Sequence, residues 1–277
     1  MLLITPVRRA ARKCLHIVPA LAVLACAACD RAPSVNVPAA EAAAKEVAPT
    51  IAIQYPTLTP ELAALERAMH AYADATKKTF DAALAARKDL VGPPPHLNLE
   101  FDVATRTQDF VSALASGETD IGDAHPSALQ ATFTQHLPSG RIVALSDLFV
   151  DPAVAVQALS SEAARRLEAD GEARLRSEHL GDALLANRLK TLRGAVELGT
   201  QPEAQNFSRF LIDGVDGKAI GLSLQFPPGQ VAAAAQGAQQ LEVPAKIFYA
   251  MLKPEYQDAF AVDKEDLKGA SASAEPR

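Results

Sequence analysis

Apolar positions along the chain switch between two spacings, and the switches mark out the elements. Residues 50–55 (TIAIQY) read as a first strand. Thr59-Pro60 then supplies an N-cap and a proline at the first helical position. Leu62, Leu65, Met69, Tyr72, Thr76, Phe80 and Leu84 follow at steps of three and four, with Glu66, Arg67, Asp74 and Lys77 elsewhere on the circumference. That spacing predicts a long amphipathic helix whose stripe packs a core. Pro93-Pro94-Pro95 breaks the chain, after which Leu97, Leu99, Phe101 and Val103 alternate with Asn98, Glu100 and Asp102, the mark of a half-buried strand. Residues 108–115 and 129–137 read as further strands, and 141–145 as a short one after Pro138-Ser139-Gly140. Asp151-Pro152 opens a second helix to about Ala169, and a third is expected over 180–192 with Leu184, Leu185, Leu189 and Leu192 inward.

The strand signal then returns. Residues 207–212 and 219–226 are apolar segments joined by Asp213-Gly214-Val215-Asp216-Gly217, a hairpin turn. Residues 241–243 form a last short strand, and Pro244 is expected to start a helix through Ile247, Phe248, Met251 and Leu252. Strands and helices come in runs, without strict alternation, so the expected class is α+β, a largely antiparallel sheet with helices packed on one face. Residues 50–262 are expected to form one domain, or two packed subdomains over about 50–145 and 146–262.

The ends read differently. Arg8, Arg9, Arg12 and Lys13 precede an apolar run over residues 15–24, too short for a membrane span. The run closes on Val23-Leu24-Ala25-Cys26-Ala27-Ala28-Cys29, which resembles a bacterial lipobox. Cys26 has the better aliphatic residue three positions before it, and Cys29 the better small pair, so either is a candidate for lipidation. An ordinary secretory cleavage site is the alternative, and it also exports the protein. Residues 1–29 are thus read as a lipoprotein signal peptide, 30–49 as an Ala/Pro-rich tether and 263–277 as a flexible tail. The expected location is the bacterial cell envelope, facing the periplasm and held to the lipid bilayer by the N-terminal anchor.

Charge narrows the partners. The chain carries 27 Lys+Arg against 33 Asp+Glu. Four of the basic residues and none of the acids precede Cys26, so removing the leader leaves 23 against 33, a net of −10. Such a balance argues against nucleic acid and favours a basic partner. All three cysteines (Cys14, Cys26, Cys29) fall in the leader, so the body has no disulfide, thiolate nucleophile or Cys-based zinc site. With no Trp and four Tyr, a platform for stacking sugars is not obvious either.

Candidate chemistry is sparse. Residues 117–126 (GETDIGDAHP) gather Glu118, Asp120, Asp123 and His125, a donor set seen in calcium or zinc sites. The spacing matches neither an EF-hand loop nor H-E-x-x-H, and a polar inter-strand connection is the plainer reading. Ser139 and Ser208 lack the glycines of a G-x-S-x-G elbow, and no glycine-rich phosphate loop is present. Histidines 70 and 179 fall in helical stretches, while His96 and His136 flank strands. The expectation is therefore no catalytic residue, no metal, no cofactor and no enzyme.

Several segments nevertheless form a recognisable series. Gly122-Asp123-Ala124-His125-Pro126, a strand, Ser139-Gly140-Arg141 and Leu145-Ser146-Asp147-Leu148-Phe149 come first. Asn206-Phe207-Ser208-Arg209-Phe210, Gly221-Leu222-Ser223-Leu224-Gln225-Phe226 and Leu241-Glu242-Val243-Pro244 follow. The series resembles the extracytoplasmic domain shared by the anti-sigma factor RsiV, a lysozyme receptor, and the peptidoglycan deacetylase PdaC. There the segments run G-G-A-H-P, T-G-[KR], L-x-D-L-F, N-F-x-x-F, G-L-x-[IL]-x-F and Y-E-[IV]-A-P-Y-A-x-G…E-V-P, and the resemblance spans about residues 51–252. Asp123 replaces the second glycine, Gly229 and Ala234 replace both tyrosines, and Ala233 replaces the proline. The transmembrane and sigma-binding segments of RsiV-like chains do not occur in these residues, nor does the metal triad of the PdaC-type catalytic domain.

The resemblance implies a non-catalytic envelope lipoprotein that binds peptidoglycan or a basic cell-wall-active protein such as lysozyme, as sensor, adaptor or muramidase inhibitor. The candidate ligand-binding residues are Gly122, Asp123, His125, Pro126, Pro227, Pro228, Gly229 and Gln230. The conformational alternative is that Pro and Gly only shape turns there and His125 binds a backbone carbonyl. Other functions weighed are a peptidoglycan-modifying hydrolase using Asp123 and His125, and a structural envelope-assembly lipoprotein.

Overall fold

The computed structural model describes residues 48–87, 94–122 and 126–262. Strand β1 (Thr50–Gln54) leads through a 3-10 turn at Pro60–Leu62 into helix α1 (Ala63–Ala86). Strands β2 (His96–Arg106), β3 (Phe110–Asp120), β4 (Ser127–His136) and β5 (Arg141–Ile142) follow. They form one five-stranded sheet in the order β1-β2-β3-β4-β5. Its pairs are antiparallel except β1–β2, which is parallel, so α1 serves as the crossover that parallel neighbours require.

The expected stripe is the one α1 buries. Leu62, Leu65, Met69, Ala73 and Phe80 pack on Leu97, Leu99 and Phe101 of β2 and on Val111, Ala113 and Ala115 of β3. Alternation along β2 and β3 places these on a single face of the sheet. The start of the helix is held differently from expectation. Thr59 makes no side-chain cap bond. The buried amide of Gln135 does that work from across the sheet: its Oε1 accepts from Leu65 N at 2.9 Å and its Nε2 donates to Glu61 O at 2.8 Å. One long-range side chain thus satisfies a donor that every helix start leaves open.

A second layer begins with helix α2 (Pro152–Ser177), whose first turn is capped by Asp151 accepting from Ala153 N and Val154 N. It runs eight residues past the expected end. Gly171 permits this, because a Cβ there would lie 2.7 Å from Leu192 Cδ2 of helix α3 (Asp182–Gly199). The helix pair therefore packs closely at that glycine. Leu184, expected inward, is exposed, and the buried residues of α3 are Val196 and Gly199 at its far end. His179 lies in the turn between these helices at φ +52° and is not helical.

Strands β6 (Phe210–Val215), β7 (Lys218–Phe226) and β8 (Gln239–Pro244) make a separate antiparallel sheet of three. The expected hairpin is present, with Asp216 and Gly217 at φ +51° and +81° as the two-residue turn. Leu222, Leu224, Leu241, Val243, Phe210 and Ile212 face Val156 and Leu159 of α2 in a second apolar cluster. The α+β class with largely antiparallel pairing is thus present, divided between two sheets.

The helix expected after Pro244 is instead two 3-10 turns, Ala245–Ile247 and Tyr249–Met251, followed by a single helical turn α4 (Pro254–Gln257). Phe248 N bonds Ala245 O and Met251 N bonds Phe248 O. Burial of Ala245, Phe248 and Leu252 at steps of three and four meets the sequence pattern without an α-helix, because 3-10 turns place similar spacings on one side.

The two sheets are joined through hydroxyls. β6 is an edge strand whose N–H groups at 210 and 212 point away from β7. Phe210 N donates to Thr132 Oγ1 at 3.0 Å, and Ile212 N donates to Ser112 Oγ at 3.0 Å. Ser112 Oγ also meets Thr134 Oγ1 at 2.9 Å, and both residues are buried. Ser112→Ala leaves the Ile212 N–H and the Thr134 hydroxyl buried without their partner. The expected cost is about 1–3 kcal/mol in urea unfolding; a change below about 0.5 kcal/mol, typical of an ordinary surface site, would show that the joint does not matter.

Candidate functional site

Strand β3 runs further than the polar composition of residues 117–120 suggests. Gly117 explains how: a Cβ there would lie 2.0 Å from Asn98 O, so only glycine lets β2 and β3 stay paired. Strand geometry then splits the polar cluster between two faces. Thr119 and Ile121 turn toward α1. Glu118 turns the other way, its Oε1 lying 3.2 Å from His96 Nε2. Asp120 Oδ1 accepts from Gly122 N at 2.6 Å, a local turn that ends the strand. The carboxylates at 118 and 120 are therefore used in separate local contacts and do not converge with Thr119. Among the described residues no group of three or more His, Cys, Asp or Glu could hold a metal.

On the α1 side the end of this hairpin stands off from the helix and leaves a cleft of about 480 Å3. The helix supplies Tyr72, Thr76, Thr79 and Phe80, with small residues Ala75 and Ala83 between them. Thr119 and Ile121 of the β3 end and Ser127 and Leu129 of β4 form the facing wall. Tyr72 is fixed edge-on to Phe101 and Phe133, with ring centroids 6.3 and 5.8 Å away, and burial pushes its phenol above the ordinary range. The facing wall is tied to the end of α1 by Arg87, whose Nη1 donates to the backbone oxygen of Ile121.

Of the sequence candidates, Gly122 stands at this end of the hairpin, at φ +84°, and Pro126 precedes β4. Asp123 and His125 lie outside the described residues, as do Cys26 and Cys29. The cleft itself was not found by sequence reasoning. Its lining comes from one helix face at residues 72–83 and two strand ends at 119–129, and Tyr72, Thr76 and Phe80 read only as core stripe.

Pro227, Pro228, Gly229 and Gln230 form a tight turn closed by Gln230 N to Pro227 O at 3.1 Å, with Gly229 at φ +88°. Gln230 is occupied: its Nε2 donates to Gly199 O at 2.9 Å and Asn206 O at 3.0 Å. A Cβ on Gly199 would lie 2.1 Å from Gln230 O, so this loop is pinned against the end of α3. A Cβ built on Gly229 would lie 3.8 Å from Ala234 Cβ. The two positions where the resemblance expects tyrosines are therefore neighbours, and both lack the ring that would anchor a protein partner.

Ser139 and His136 form a pair that the sequence did not reveal. Nδ1 of the imidazole lies 2.9 Å from Ser139 Oγ, and burial against Phe110 and Tyr256 pushes the ring below its ordinary range. Ser139 sits in the β4–β5 turn, and the Gly140 N–H beside it is already donated to Leu137 O. The bond closes a turn, and the amide next to the hydroxyl is not free to stabilise an oxyanion.

No family model matches the chain. Over 172 residues it is 26% identical to the peptidoglycan-N-acetylmuramic acid deacetylase PdaC of Bacillus subtilis (strain 168), covering 62% of this chain and 32% of that protein. The chain thus spans about one third of the length of this relative. Two crystal structures of DUF3298-family proteins are similar at 14% identity each. The one from Bacteroides fragilis has a TM-score of 0.45 with 69% of this chain and 68% of that one covered. The one from Pseudomonas aeruginosa has a TM-score of 0.44, with 62% and 67%. The chain is distantly similar to part of a protein named as a peptidoglycan deacetylase. This corrects the expectation that it is not an enzyme, because the relative is a deacetylase by name. That expectation rested on missing serine-elbow, phosphate-loop and metal-site motifs and on the missing metal triad of the PdaC-type catalytic domain.

Gln230→Ala is expected to lower stability by about 1–2 kcal/mol, since it leaves the carbonyls of Gly199 and Asn206 without their donor. Thermal unfolding of the purified protein checks this. An unchanged melting temperature would return Gln230 to the list of residues kept for a ligand.

Proposed function

We propose that the chain is a cell-envelope protein whose α+β domain binds peptidoglycan and so places the wall polymer where a modifying activity acts on it. The observation that carries this reading is the 172-residue similarity to a peptidoglycan deacetylase. The cleft between α1 and the β3–β4 hairpin is the site, and its volume of about 480 Å3 suits a small ligand unit. A basic protein partner is less well supported, because Gly229 and Ala234 present no aromatic anchor.

The purified protein is expected to pellet saturably with peptidoglycan sacculi at both low and moderate salt. Thr79→Trp, at an exposed helical position on the rim, fills the cleft and abolishes pelleting at an unchanged melting temperature. Failure of the unsubstituted protein to pellet at either salt would overturn the reading.

We further propose that the leader holds the same protein to the membrane surface through a lipid on Cys26 or Cys29. In cell fractionation the Cys26→Ser, Cys29→Ser double variant is expected in the soluble fraction. The two single variants identify the lipidated residue. Membrane retention of the double variant would remove the anchor.

A further inference from the structure

We infer that the open edge of β1 pairs with the same edge of a second copy of this chain, antiparallel, about a two-fold axis at Ala52.

The other sheet edges are closed in one way or another. The outward N–H groups of β6 are taken by Thr132 and Ser112. On β8 the outward carbonyl of Glu242 accepts from Nη1 of Arg166 on α2. β5, at one end of the first sheet, is only two residues long. β1 stands at the other end, and among the described strands it pairs with β2 alone. Thr50 N donates to Pro95 O at 2.9 Å, so Thr50, Ala52 and Gln54 turn their backbone groups toward β2. Ile51 and Ile53 therefore turn theirs outward, where no described residue meets them. Exposed edges are ordinarily blunted by charge, proline or a bulge. Residues 50–54 carry none of these.

The side chains continue the pattern. Register sets Ile51 and Ile53 beside Leu97 and Leu99, on the face that α1 covers. The helix packs over β2 to β5 and leaves β1 at its margin. Ile51 and Tyr55 are consequently 37% and 38% exposed.

A second copy suits this edge because the edge is complementary to itself. With Ile51 opposite Ile53 of the second copy, each exchanges N–H···O bonds in both directions, and Ala52 meets Ala52 on the axis. The isoleucines of both copies then close into one cluster on the α1 side. A centre at Ile51 would call on Pro49, which has no N–H. A centre at Ile53 would call on Tyr55, which lies past the segment held by β2 and whose ring is engaged by Phe101 and His70. Charge points the same way. The chain has a net charge of −6, yet residues 48–60 carry no charged side chain. Two acidic copies can meet along this strip without setting like charges opposite one another. A seam this short is smaller than a standard interface, so association is expected to depend on concentration.

Disulfide trapping tests the inference. The body of the chain has no cysteine, so with Cys14→Ser, Cys26→Ser and Cys29→Ser in every variant an introduced cysteine is the only thiol. Thr50 and Ala52 are both exposed and lie on one face of the strand. In Ala52→Cys the paired Cα atoms lie about 4.5 Å apart, within disulfide reach. In Thr50→Cys they lie about 14 Å apart, beyond it. Under mild oxidation the purified Ala52→Cys chain is expected to give at least about tenfold more covalent dimer than Thr50→Cys. Adding Ile51→Lys, a residue that edge strands tolerate, is expected to cut the Ala52→Cys yield to the Thr50→Cys level. Equal trapping by the two cysteine variants would mean random collision and would overturn the inference. Trapping by neither would also overturn it and leave the edge to a peptide strand of another protein. An Ala52→Cys dimer undiminished by Ile51→Lys would show that the seam lies elsewhere.

Discussion

The constraint on which the architecture depends is the fate of two backbone N–H groups at the edge of the second sheet. Phe210 N and Ile212 N point away from β7, into the body of the protein, where water is not at hand to satisfy them. An unpaired buried donor costs about as much as several well-made contacts gain. Thr132 and Ser112 meet them, and the partner of Ser112 is Thr134. These three hydroxyls sit on alternate positions of neighbouring strands, so they fix both the height and the angle at which β6 crosses the first sheet. Once that docking is set, the apolar faces of β6 and β7 are turned toward α2.

The other face of the first sheet is organised by Gln135. Its amide ties β4 to the first turn of α1, at the end of the helix remote from the cleft. Between that tie and the Arg87 contact at the far end, the helix is held against the sheet at both ends. The cleft lies near the second of these, where Ala75 and Ala83 on the helix and Thr119 and Ser127 on the hairpin provide little bulk. Its volume follows from side-chain size on a frame held at both ends.

Much of this frame is legible in the sequence because local patterns and tertiary packing agree. The α1 stripe, the alternation of β2 and the Asp216-Gly217 turn each carry their own signal. What was hidden depends on partners far along the chain. Nothing local in Gln135 announces a helix cap seventy residues away. The polar run 117–120 looks like a loop until Gly117 is seen pressed against Asn98. The single sheet expected from strand counting becomes two because a hydroxyl joint substitutes for strand pairing. Gly122 and Pro126 flank the hairpin end beside the cleft, whereas the helical residues lining the cleft read in the sequence as ordinary core. The two bonds from Gln230 to the carbonyls of Gly199 and Asn206 likewise carry no local sequence signal.

The α2–α3 hairpin has a bearing on how this protein breathes. Apart from Val196 and Gly199 at its C-terminal end, α3 has no buried residue, and its middle meets α2 where Leu192 covers Gly171 and Arg193 lies 3.5 Å from Glu172. Protection against amide exchange should therefore rise along α3 from a loosely held tip at residues 178–184 to a secure root at 196–199, set by the local density of buried apolar contact. Neither α2 nor α3 lines the cleft. Opening of the tip is thus a private fluctuation, and the hairpin is the natural place for the chain to accept inserted sequence without cost to the rest of the domain.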